Sequence, residues 1–112
     1  MNNIYLCGLG SRKRYVAAQS IKSAKRKIKK AFYIQDAGQI EILDVLFIDT
    51  KLHLDKCPIC GGDATLKCNS RNDGTNISIF IRCRSCGLMV GRIVHKDIGS
   101  TVLKVINLWN RE

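Results

Sequence analysis

The sequence predicts an α+β fold, with a small β-β-α-β unit over residues 1–56 and a four-cysteine ribbon with a closing helix over residues 57–112. Three observations carry this expectation. Two Cys-x-x-Cys pairs, Cys57/Cys60 and Cys83/Cys86, are separated by 22 intervening residues. From Ile21 the apolar residues recur every three or four positions, the period of a helix face. Residues 39–49 alternate at Ile40, Glu41 and Ile42 and then run β-branched and aromatic, the pattern of a strand.

Each element follows from its local chemistry. Ile4 to Leu9 is apolar and β-prone and ends among Gly8 and Gly10, so it reads as a first strand. The polar stretch Gly10 to Arg14 reads as a hairpin tip, with Tyr15 to Ala18 returning. Ser20 is the expected N-cap of the helix, because its hydroxyl can accept a free N–H of the first turn. Ile21, Ala24, Ile28 and Ala31 or Phe32 then define the apolar face, and the cations near the helix end suit its dipole. Gly38 ends this region, residues 39–49 form the next strand, and a short linker around 50–56 implies that the two units pack together. In the second half, Thr65 to Asn69 and Ile77 to Arg82 read as strands joined by a turn at Asn72-Asp73-Gly74. A last helix opens at Gly99-Ser100, with Ser100 or Thr101 as its cap. Val102, Val105, Ile106 and Trp109 share one face of that helix, and Trp109 is expected to pack it onto the ribbon.

The cysteine spacing points to a metal. A Cys-x-x-Cys turn brings two sulfurs close enough to share one ion at about 2.3 Å each, and two such turns complete a closed tetrahedral site. Cys57, Cys60, Cys83 and Cys86 are therefore the expected ligands of one structural Zn2+; iron held by four thiolates has the same geometry. Gly61-Gly62 and Gly87 follow the two knuckles and suit the positive φ that turns N–H groups back towards sulfur. The competing readings are redox motifs or disulfides. A redox motif wants one such pair at a strand-to-helix junction, not two flanking a hairpin. Cys7 and Cys68 are read as small buried hydrophobes, and His53 and His95 as isolated surface or interface residues. A Cys7–His53 nucleophile pair would need spatial contact that the sequence does not demonstrate. Four thiolates leave the metal no open position, and no carboxylate pair, nucleophile–base motif or phosphate loop is found, so a non-enzymatic protein is expected.

Charge supplies the other functional signal. Nineteen Lys and Arg against nine Asp and Glu give a formal net charge of +10. Four thiolates with one Zn2+ lower this by two, to about +8. Nine basic residues lie between positions 12 and 30 with no acidic residue among them. Arg12, Lys13, Arg14, Lys22, Lys25, Arg26, Lys29 and Lys30 are the candidate nucleic-acid contacts, with a solvated helix face as the plainer reading of the same run. Tyr15 and Tyr33 flank the cluster and could stack on bases, although core packing is the expected role of both. No apolar run approaches the length of a membrane span and no signal-peptide pattern opens the chain, so a cytoplasmic protein is expected. The long apolar strand at 39–49 is also a candidate for pairing with a second chain, giving a homodimer.

Three elements of the C-terminal half occur together: Cys57-Pro58-Ile59-Cys60-Gly61-Gly62, then Cys83-Arg84-Ser85-Cys86-Gly87, then Trp109-Asn110-Arg111. In this it resembles the Lar family of restriction alleviation proteins, small zinc-ribbon proteins of phages and prophages. The resemblance spans residues 57–111 and leaves residues 1–56 outside it. It implies a protein that counters a host defence system by binding a host protein or nucleic acid. A DNA- or RNA-binding ribbon acting in phage transcription or replication is the alternative.

Overall fold

The computed structural model describes residues 2–48, 53–71 and 73–110. Its architecture is α+β, with two three-stranded antiparallel sheets and two helices. The first sheet holds β1 (Asn3–Leu9), β2 (Arg12–Ala18) and β3 (Glu41–Leu46) in the order β2-β1-β3. Gly10, at φ 61°, leads a two-residue turn, so Leu9 pairs with Arg12 and the returning strand starts three residues before Tyr15. The expected five-residue tip is thereby corrected: Arg12, Lys13 and Arg14 alternate across a strand, where only Lys13 is fully exposed.

Helix α1 (Ile21–Phe32) starts as its sequence indicates, with Ser20 Oγ accepting from the Ser23 N–H at 3.1 Å. Ala24, Ile28 and Phe32 are buried against the first sheet, whereas Ile21 remains 51% exposed at the first turn. The expected strand at 39–49 is trimmed at both ends. Ala37–Gln39 form a 3-10 turn capped by Asp36, and the Ile48 N–H is taken at 2.9 Å by the side chain of Asn3. Asp49 lies outside the described residues. β3 does occupy a sheet edge, and its register on β1 shifts between Leu6 and Cys7.

The second sheet contains β4 (Ala64–Asn69), β5 (Ser78–Cys83) and β6 (Met89–Ile93) in that order. The first two match the expected strands within a residue. Asn72, part of the expected turn, lies outside the described residues, but Gly74 adopts φ 82° and donates to Arg71 O, closing a tight reversal. β6 was not anticipated, because Gly91 interrupts its apolar pattern. That glycine is required by close approach. A Cβ built there would lie 2.7 Å from Phe80 Cβ and 3.0 Å from the Ile79 carbonyl oxygen. Gly91→Ala must therefore push β6 off β5, and we expect a loss of about 1–3 kcal/mol in a denaturant titration with metal binding retained.

Helix α2 (Ile98–Trp109) is capped by Asp97, whose carboxylate accepts from Ser100 N–H at 2.7 Å, and not by Ser100 or Thr101. The two hydroxyls instead donate back to the Asp97 carbonyl, at 3.3 and 3.0 Å. Val102, Val105, Ile106 and Trp109 are buried, as their spacing predicts. They form one core with Leu66, Ile79 and Ile81 of the second sheet and with Ile4 and Ala17 of the first. A second cluster, Tyr5, Cys7, Ala18, Ala24, Ile28, Phe32 and Ile40, lies under α1. The two sheets thus share apolar packing, reinforced where the buried Asn2 amide donates to Leu66 O at 2.8 Å.

Candidate metal centre

The two knuckles are built alike. Gly61 N–H donates to Cys57 O at 2.9 Å and Gly87 N–H to Cys83 O at 3.2 Å, while Gly61 and Gly87 take φ 73° and 81°. Those reversals need glycine and aim the cysteine side chains to a common point. Arg84 N–H donates to Asp63 O at 2.8 Å, joining the knuckles, and Lys56 pairs with the Asp63 carboxylate across the base of the first. Gly62 lets them close up, since a Cβ there would stand 2.7 Å from Ser85 Oγ and 3.0 Å from Cys83 Sγ.

The result is that the Sγ atoms of Cys57, Cys60, Cys83 and Cys86 all lie within 4.8 Å of one another. Cys57–Cys86 and Cys60–Cys83 are separated by 3.6 and 3.4 Å. Sulfurs at the corners of a tetrahedron with metal–sulfur bonds of about 2.3 Å stand about 3.8 Å apart, so the four thiols fit one ion. Backbone donors are already in place. Gly62 N–H points to Cys60 Sγ at 3.4 Å, and Ser85 and Cys86 N–H to Cys83 Sγ at 3.3 and 3.4 Å. The Cys86 N–H, with help from that of Ser85, holds the Cys83 thiol down at about 6 against the opposing effect of burial. All four sulfurs would be ligands, leaving no position for water or substrate.

The remaining cysteines stand apart from this cluster. Burial pushes the Cys7 thiol up to about 11 and the Cys68 thiol up to about 12, so both are protonated and inert at neutral pH. Cys7 lies in the cluster under α1, whereas His53 is exposed and hydrogen-bonds Asp55 at 3.1 Å. His95 is also exposed.

Trp109 and Asn110 act together in a way their spacing alone did not reveal. The Trp109 indole N–H donates to Asp55 O at 2.8 Å. The Asn110 amide donates to His53 O and accepts from the Asp55 N–H, each at 2.8 Å. Three bonds from the end of α2 thereby fix the segment that enters the first knuckle. Arg111 lies outside the described residues.

The basic residues divide into two groups. Arg12 donates to Phe32 O at 2.9 Å with its guanidinium 4.8 Å over the Phe32 ring, and Arg14 donates to Asn69 Oδ1 at 2.7 Å. Both hold the fold together. Lys27 donates to Ala17 O at 2.8 Å, and desolvation lowers its pKa. Among the described residues, Lys22, Lys25, Arg26, Lys29 and Lys30 have no carboxylate within salt-bridge distance, and the two ion pairs are His53–Asp55 and Lys56–Asp63. Tyr15 packs against the larger core, as expected, but Tyr33 is 94% exposed, which corrects the core role expected for it. No described helix is long and apolar enough to cross a membrane. No family model, curated protein or solved structure matches the chain.

Proposed function

We propose that this is a non-enzymatic zinc-ribbon protein that binds nucleic acid through the solvent-facing side of α1. The observation that carries the reading is the set of α1 cations without carboxylate partners among the described residues. Lys22, Arg26 and Lys29 follow one another at i, i+4 and i+7, so they stand along one face of the helix, with Lys30 beside them. A row of cations of this kind neutralises backbone phosphates and releases their counterions, with little sequence preference. The ribbon serves as scaffold. Its closed four-sulfur set favours zinc, and iron in the same cage would be recognised by metal analysis. The resemblance to the Lar family supports reading this activity as phage or prophage counter-defence, where the bound nucleic acid would be what a host system acts on. A host protein as target is the competing outcome.

The test is an anisotropy titration of labelled oligonucleotides between about 50 and about 200 mM salt. We expect log K to fall linearly with log salt, and the triple variant Lys22→Ala, Arg26→Ala, Lys29→Ala to reduce the slope by roughly 2 to 3. No binding at low salt, or a triple variant with the wild-type slope, would reject α1 as a phosphate-binding surface.

A further inference from the structure

This inference rests on the nucleic-acid reading and specifies its ligand. Helix α1 ends in a reversal carried by Tyr33, which adopts φ 55° and ψ 44°. The Ile34 N–H then returns to Lys29 O at 3.2 Å, closing the helix. Glycine is the residue that enters this left-handed region without strain, and a tyrosine there is an outlier. The ring gains no packing in exchange, being 94% exposed. A large aromatic side chain is thus held in water at a position where folding alone favours no side chain at all.

Its place on the helix gives the exposure a use. Position 33 follows Lys22, Arg26 and Lys29 at i+11, so the Tyr33 Cα continues the cationic stripe. From Lys22 to Lys29 the helix rises about 10 Å, room for contacts to successive phosphates, and the aromatic ring stands at the end of that row. At the same end, Arg12 is fixed over Phe32 and adds a positioned positive charge. Bases of a single strand present open faces to such a ring, whereas bases in a duplex are already stacked on their neighbours.

We propose that Tyr33 is a base-stacking residue and that the ligand of the α1 face is single-stranded nucleic acid. Two substitutions test this. Tyr33→Gly removes the ring and relieves the backbone, so its melting temperature should equal or exceed that of the wild type. Its affinity for a labelled single-stranded 12-nucleotide probe (the length being of roughly OB-fold site size) should fall by about 5- to 150-fold. The salt slope and the affinity for a matching duplex should not change. Tyr33→Phe keeps the aromatic face and should bind as the wild type does. If the wild type binds with a steep salt dependence and Tyr33→Gly holds single strands equally well, the stacking role is overturned while the phosphate-binding surface stands. If the wild type binds neither probe, both readings fall.

Discussion

Removing the metal with a chelator will collapse the sheet of β4, β5 and β6, and Cys83→Ser will do the same without a chelator. The knuckles flank that sheet: Cys57 and Cys60 precede β4, and Cys83 both ends β5 and enters the cluster. Cys83 is almost fully buried and accepts two backbone N–H bonds, so serine there leaves donors facing a poor ligand. Structural zinc contributes about 10–16 kcal/mol of binding free energy in small domains, comparable to or larger than the whole stability of a domain this size. Without an ion the ribbon would have only its share of the apolar core with α2 and the first sheet to hold it. Because the cluster under α1 contains no ligand, that helix should outlast the ribbon. Amide hydrogen exchange would show protection lost across β4 to β6 and kept at Ala24 to Phe32. Cys68→Ser is the control and should retain one metal per chain. An unaltered near-ultraviolet dichroism spectrum after chelation would rule out a structural role for the four cysteines.

Trp109→Ala is expected to cost about 3–5 kcal/mol, the range for deleting a buried aromatic side chain. Trp109 is only 4% exposed, packs with Val105 and Ile106, and satisfies Asp55 O through its indole N–H. For a chain of this size that loss lowers the melting temperature by roughly 10–25 °C. Trp109→Phe separates the two contributions, since it keeps most of the apolar contact and leaves Asp55 O without its donor. Its cost should be about 1–2 kcal/mol. A Trp109→Ala protein melting within a few degrees of wild type would show that the end of α2 is dispensable to the fold.

The α+β class and the convergence of the four cysteines were legible because both depend on short-range pattern. Ligand spacing is a local geometric demand, and a three-to-four residue apolar period is enough to orient α1 and α2. What was not legible depended on partners distant in the chain. β6 is defined by its pairing with β5, and the glycine that obscured it is there because Phe80 leaves no room for a side chain. At the start of α2, Asp97, Ser100 and Thr101 are all capable caps; the choice falls on Asp97 because the helix begins one residue later, at Ile98. The basic tip of the first hairpin dissolved into a strand once Gly10 closed the turn in two residues. Tyr33 was also misjudged. It directly follows the buried Phe32, but its position at i+11 from Lys22 belongs to the cationic face and not to the apolar one.

The bonds from Trp109 and Asn110 to residues 53–55 have a consequence for the order in which the protein is made. The first hairpin and α1 rely on partners close in sequence, so they can form as soon as they are synthesised. The four thiols are all present once Cys86 has emerged, and an ion can be captured then. The strap leading into the first knuckle stays loose until the far end of α2 arrives, more than 50 residues later. Closing of the four-thiol cluster and bracing of its entry strand therefore depend on different parts of the chain, the first complete at Cys86 and the second only at Asn110.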